Sequence, residues 1–334
     1  MPAPLTLPCA KRVCVSRPLW PLLSVGLFAI NPLPLALAEA SRTEDSTLTL
    51  GTVTVQGATG SNGPLSTSSV LSSVDVLGAD ILEKMPVNYS WELFSRAPGV
   101  MLTEFNQGTT SGKISFRGFN GEGEVNAVKL LIDGIPSNSN DGNMPFMDMI
   151  FPLELDSIEV VRGTSDARYG LNNIAGNVNM LTRTGGDYTK ARIRYGSYNT
   201  QETQLAKGIE TSNWTQNYFF AYQKSDGYRD HAQADKFSMA GKWFYTPDDN
   251  RYRIGLIARH YETEAQEPGY LSEEDAHQHP TMTNSYNATD KGTRRMNQLS
   301  VHFDSELSDT LAWAAKTYVN TFDDRRWTQY WRTS

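Results

Sequence analysis

His277 and His279 stand one residue apart, beside Glu273, Glu274 and Asp275. Imidazole and carboxylate groups so close in sequence are metal ligands by type. A lone His-x-His in an acidic loop is more often satisfied by water, so His277 and His279 are subsidiary candidates only and no metal site is assigned. Gly108-Thr109-Thr110-Ser111-Gly112-Lys113-Ile114 imitates a phosphate-binding loop. It is one residue short and lacks the hydroxyl after the lysine. No Ser-His-Asp or metal-hydrolase spacing stands out, so the chain is not read as an enzyme and no cofactor is assigned.

The elements around these residues start with an export signal. Lys11, Arg12 and Arg17 precede an apolar run from Leu19 to Ile30, and Ala36-Leu37-Ala38 supplies the small residues of a cleavage site. The run is interrupted by Pro21 and is too short to cross a hydrocarbon core of roughly 30 Å as a helix. Residues 1–38 are therefore read as a signal peptide. Removing its three cations takes the formal net charge from -7 to -10, which argues against a nucleic-acid partner. Both cysteines, Cys9 and Cys14, leave with it, so no disulfide is expected. No helix-length apolar stretch remains among 15 Tyr, 13 Phe and 7 Trp, which leaves a periplasmic protein or a β-barrel.

Three regions follow. Residues 39–73 are polar and rich in Ser, Thr and Gly, too poor in large apolar side chains to offset their ordering entropy. Within them Leu48-Thr49-Leu50-Gly51-Thr52-Val53-Thr54-Val55 alternates Thr with apolar residues. Such a peptide can add itself as a strand to a partner's sheet edge, or be an ordinary edge strand of the next domain. Residues 74–184 read as a small α+β domain. Helices are predicted over 78–85 and 91–97, the latter ended by Pro98-Gly99. Strands are predicted over 100–103, 114–119, 127–132, 158–161 and 177–182.

From residue 185 the periodicity becomes two. Ala191, Ile193 and Tyr195 alternate with Arg192 and Arg194, and Phe237, Met239, Trp243 and Tyr245 with Lys236, Ser238 and Lys242. Segments of this kind around 214–222, 251–259 and 299–304 are joined by connections that alternate short and long. Dyad segments of about ten residues are what a transmembrane β-strand needs, and lipid requires such strands to close into a barrel. A soluble β-sandwich shares the period, but the signal peptide, the aromatic ends and the loop asymmetry favour the barrel.

At this point the motifs resemble those of TonB-dependent outer-membrane receptors of the ferric-siderophore type. Leu50-Gly51-Thr52-Val53-Thr54-Val55 is similar to the TonB box. Ile114-Ser115-Phe116-Arg117-Gly118-Phe119, Ile132-Asp133-Gly134-Ile135-Pro136 and Ile158-Glu159-Val160-Val161-Arg162-Gly163 follow in the family's order, then Tyr169-Gly170 and Gly176-Asn177-Val178-Asn179. The resemblance implies an α+β plug followed by an antiparallel transmembrane β-barrel in the outer membrane of a Gram-negative bacterium. It implies binding of an iron(III)-siderophore chelate, and import energised by TonB with ExbB and ExbD. Ligand contacts are then expected on plug apices, at Phe105, Asn106, Gln107, Asn120, Glu122, Glu124, Asn138, Asn140 and Asp141. Arg117 and Arg162 would lock the plug to barrel carboxylates that the sequence does not identify. The Glu267-Pro268-Gly269-Tyr270-Leu271 loop is similar to ferric-citrate-type receptors. Haem, cobalamin, or a passive pore or adhesin are the alternatives.

About seven strands are expected between Tyr188 and Ser334, with an eighth starting at Arg325, against about 22 in such barrels. The chain is thus expected to be the N-terminal part of a receptor that neither closes nor transports alone. With no module of about 80 residues ahead of residue 50, a signal-transducing subtype is not expected.

Overall fold

The computed structural model describes residues 73–116, 118–119, 127–163, 170–308 and 311–329. The signal segment, the TonB-box stretch, Arg117, Asn120, Glu122 and Glu124 lie outside the described residues. Two sheets and a hairpin organise the rest.

The first sheet has the order β1-β6-β7-β4-β5, built from β1 (Ser73–Gly78), β4 (Val128–Ile132), β5 (Ile135–Pro136), β6 (Leu155–Arg162) and β7 (Gly176–Thr182). β4 reads Val-Lys-Leu-Leu-Ile and is buried along its length. It runs parallel to β7 and turns back antiparallel into β5 through Asp133-Gly134. Both turn residues take positive φ, 51° and 73°, which Gly134 accommodates without strain and which Asp tolerates better than most residues. Leu82, Leu93, Phe94, Phe116, Ile150 and Val178 are fully enclosed in the core. At about 1.5–3 kcal/mol for each large apolar side chain removed from water, this core is enough to hold a small domain.

β1 corrects the sequence reading, which placed mobile chain up to Ser73 and a helix from residue 78. Ser73–Gly78 instead pairs antiparallel with β6, Ser73 opposite Arg162 and Gly78 opposite Ser157. The helix is a single turn, α1 (Ala79–Leu82), and the second is a 3-10 helix over Ser90–Arg96. The 100–103 and 114–119 strands are both longer at the hairpin side: β2 (Val100–Gln107) and β3 (Thr110–Phe116) pair with each other.

The second sheet is a seven-stranded antiparallel meander: β8 (Tyr188–Tyr195), β9 (Gln201–Glu210), β10 (Trp214–Ser225), β11 (Ala234–Tyr245), β12 (Tyr252–Gln266), β13 (Lys291–Ser308) and β14 (Leu311–Trp327). The eighth strand read at Arg325 is the end of β14. No helix among the described residues is long and apolar enough to cross a membrane.

The sheet's burial is inverted relative to a soluble protein. Gln204, Lys242, Arg259, Gln298 and Ser300 are buried, while Ile193 is 81% and Leu299 49% exposed. Polar inside and apolar outside is the pattern of a transmembrane barrel wall. On the outer face Trp214, Tyr245, Tyr252, Phe303 and Trp313 form a chain of ring contacts, successive centroids 5.2–6.5 Å apart. All five lie near the short-turn ends of their strands, where an interfacial aromatic girdle belongs.

Candidate functional site

The polar face of the meander carries the plug. Asp133, at the β4–β5 turn, accepts from Lys242 Nζ of β11 at 2.9 Å and from Arg259 Nη2 of β12 at 2.6 Å. Arg259 also pairs with Glu154, just ahead of β6. Thr182 fixes the Asp133 carboxylate from the plug side through its N–H and hydroxyl, each at 2.9 Å. All four ionisable side chains are at most 10% exposed. Burial alone would raise the pKa of Asp133, but Lys242 and Arg259 outweigh it and hold the carboxyl well below the usual range. For Glu154 burial prevails over Arg259 and its pKa is raised.

Two further anchors repeat this polarity. Arg294 of β13 bridges plug Asp148 at 3.0 Å and Asp324 of β14 at 2.9 Å. Lys190 of β8 reaches Glu83 at 2.6 Å, while Arg192 donates to the Glu83 and Met85 carbonyls and Arg194 to that of Val87. The barrel arginines thus satisfy carbonyls of the segment that follows the one-turn helix. In each anchor the plug supplies acceptors and the wall supplies cations.

At the opposite rim, the end with long connections, the β2–β3 tip is joined to the loop after β12. Gln107 donates to the Gly269 carbonyl at 3.1 Å and accepts from the Gly269 N–H at 3.0 Å. Glu267, 2% exposed, accepts from Thr109 at 3.3 Å and holds Arg326 of β14 at 2.7 Å. A Cβ on Gly108 would stand 2.7 Å from Glu267 Cγ and 2.9 Å from the Gln266 carbonyl, so only glycine fits this approach. Arg229, in the loop before β11, donates to the carbonyls of Pro268, Gly269 and Met282 and ties the two long loops together.

The hairpin lines two cavities. Phe105, Thr109 and Lys113 face one of about 260 Å³, completed by Trp91, Asp141, Arg294, Phe322, Asp324 and Arg326. Asn106 and Gly108 face another of about 320 Å³, bounded by Tyr89, Tyr198, Tyr228 and Lys236. Lys236 Nζ lies 3.5 Å from the Tyr89 ring centroid and donates to the Asn88 carbonyl at 2.7 Å.

The structure therefore divides the residues singled out from sequence. Phe105, Asn106 and Asp141 line cavities. Gln107 and Asn138 are struts: the Asn138 amide accepts from Leu130 N and donates to the Val128 and Gly142 carbonyls. Asn140 is exposed on the same turn. Arg162 pairs with Asp75 of β1 and donates to the Pro98 carbonyl at 2.7 Å, plug residues where barrel carboxylates were expected. His277 lies in the last turn of a short exposed helix, α2 (Glu273–Gln278), and His279 caps it. Among the described residues no three His, Cys, Asp or Glu side chains gather as a metal site. Sequence reasoning missed Asp133, Glu154, Lys242, Arg259 and Arg294. The one signal for the last three was a cation on the polar face of a dyad strand.

Residues 66–177 match the family described as TonB-dependent Receptor Plug Domain. The chain is 30% identical to the vitamin B12 transporter BtuB of Vibrio vulnificus over 165 residues, 48% of this chain and 26% of that protein. It is 29% identical to the ferrioxamine receptor of Yersinia enterocolitica over 202 residues, 59% of this chain and 27% of the other. It spans about a quarter of the length of these curated relatives. Among solved structures it is similar to the ferric citrate transporter FecA in the unliganded form. The TM-score is 0.66 at 20% identity, covering 77% of this chain and 41% of that one. The ferric yersiniabactin uptake receptor FyuA of Yersinia pestis gives 0.58 at 19% identity, covering 75% and 42%. At such identities the structural likeness shows the fold.

Proposed function

We infer that this chain serves an outer-membrane receptor of the TonB-dependent kind for a scarce metal chelate, which it takes into the periplasm with energy delivered by TonB. The observation that carries this reading is the plug sheet seated on the polar face of a wall whose other face is apolar and aromatic. The chelate is an iron(III) siderophore, bound at the long-loop rim between the plug hairpin and the barrel. The likeness to a ferrioxamine receptor supports that choice. The likeness to vitamin B12 transporters supports a second one, a corrinoid. ExbB and ExbD are the partners that supply TonB with the proton-motive force, and lipid faces the outer side of the strands.

The handle for TonB is Leu50 to Val55, whose alternating Thr and β-branched side chains suit strand addition. Val53→Pro removes a backbone donor and fixes φ, so it blocks that pairing. The expected outcome in cells producing the receptor is loss of uptake with chelate binding intact. Unchanged uptake would favour a passive pore. Iron-limited growth on a panel of siderophores separates the chelates: rescue by none of them would sink the siderophore reading, and rescue of cobalamin-dependent growth would replace it.

A further inference from the structure

In the cavity of about 260 Å³ beside the hairpin, the positive charge of the barrel wall is already paired. Two barrel cations face it, Arg294 and Arg326. Arg294 is clamped between Asp148 and Asp324 at 3.0 and 2.9 Å. Arg326 is held by both oxygens of Glu267, Nη2 at 2.7 Å and Nε at 2.9 and 3.2 Å. The third cation on the lining, Lys113, lies 5.5 Å from the Phe105 ring centroid. Against these three stand Asp141, Asp148 and Asp324 on the lining, with Glu267 directly behind Arg326. Three acids to three cations on the lining, among the described residues, with both arginines held by carboxylates, is not a site built to receive a polyanion. An anion entering here would have to break a bidentate carboxylate pair to gain an arginine, and would meet the displaced carboxylate. The uncharged part of the lining is aromatic and aliphatic, with Trp91, Phe105, Met144 and Phe322.

We propose that the cavity between the β2–β3 hairpin and β13–β14 selects a neutral or cationic ferric chelate of the tris-hydroxamate class and rejects polyanionic catecholate and citrate chelates. Three hydroxamates each bring one negative charge and leave an iron(III) core neutral, and their hydrocarbon spacers suit the apolar lining. Three catecholates bring two each and leave a trianion. Glu267 and Asp324 are the specificity-determining residues because they cancel the two arginines that would otherwise attract such an anion. This selectivity rests on the receptor reading above and narrows its ligand.

The test is isothermal titration of the purified full-length receptor. The probes are ferrioxamine B (a monocation), a neutral ferric tris-hydroxamate, a trianionic ferric tris-catecholate and ferric citrate. The wild type is expected to bind the hydroxamates at least about tenfold more tightly than either anion. Glu267→Gln and Asp324→Asn, checked for folding by circular dichroism, are each expected to shrink that ratio several-fold by releasing a cation. A wild-type preference for the trianion overturns the proposal, whatever the variants do. So does an unchanged ratio in both folded variants. Binding of no iron chelate of any charge overturns the siderophore reading beneath it, a result distinct from a reversed charge preference.

Discussion

Arg259 serves two plug carboxylates and favours the ionised form of both, yet their net shifts are opposite. Asp133 has Lys242 and two Thr182 bonds as well, so the ionised form prevails over burial. Glu154 has Arg259 alone on one oxygen, and its Oε2 has no partner among the described residues, so burial prevails. The signs for stability follow. A depressed carboxyl pKa contributes stability that is complete above the unfolded value, about 3.9 for Asp, and is lost as pH falls through the lower folded value. A raised one is a cost that protonation relieves as pH falls. Acidification from pH 7 to about 4 is therefore predicted to leave the Asp133 seat intact, read as unchanged protease resistance of the plug in outer-membrane vesicles. Asp133→Asn leaves Lys242 and Arg259 under-compensated in a buried site and is predicted to destabilise the plug by about 3–5 kcal/mol. Thermal unfolding followed on the same vesicles would register the loss, and a shift within error of wild type would remove Asp133 from the seat. The cations were legible only as the polar face of dyad strands, and their pairing with these carboxylates was not legible at all. Asp133 lies 126 residues and Glu154 105 residues from Arg259, and only the fold brings them together. The motif pointed to Arg162, whose described partners are in the plug.

At the scale of elements, the dyad strands were legible because lipid enforces a strict inside–outside alternation, visible in Ile193 and Tyr195 against Arg192 and Arg194. β1 was not. Ser-Val-Asp-Val-Leu-Gly is too short for its alternation to stand out, and β6 makes it a strand by pairing with it. The hairpin tip was only half legible: Gly108 signalled a turn, but its contact with the Gln266–Glu267 backbone and side chain depends on β12. Gly108→Val puts a branched side chain at φ +45° against that loop. We predict a loss of about 1–3 kcal/mol, localised to the tip, from overpacking and backbone strain. Hydrogen exchange should accelerate across residues 105–112 while the sheet β1-β6-β7-β4 keeps its protection; uniform acceleration would instead mean that the tip is not a separate junction. On the outer face, Leu256→Arg places a charge toward lipid and should cost up to about 2–4 kcal/mol near the bilayer midplane. Folding yields into lipid vesicles measure it, and a yield equal to wild type would contradict a lipid-facing β12.

At the scale of the molecule, the anchors between plug and wall share one polarity: Asp133, Glu154, Asp148 and Glu83 of the plug meet Lys242, Arg259, Arg294 and Lys190 of the inner wall, while apolar and aromatic groups lie on the outer wall. The plug is held by these polar contacts, which water and a pulled chain can exchange, together with apolar contacts of the inner wall such as Phe219 against Phe151 and Phe322 against Phe146. This seating also leaves a cavity at the long-loop rim bounded by the plug hairpin and by the wall at once, so a ligand there touches both bodies. The sequence motifs named the parts in order, and the family resemblance supplied their purpose; the seat, the cavity and its charge came from the fold. The most direct test of the account is uptake of an iron-loaded siderophore by cells producing the receptor, with surface binding measured in parallel, before and after a protonophore collapses the proton-motive force. Binding that persists while uptake stops is the predicted result. Uptake that continues at its former rate would contradict it.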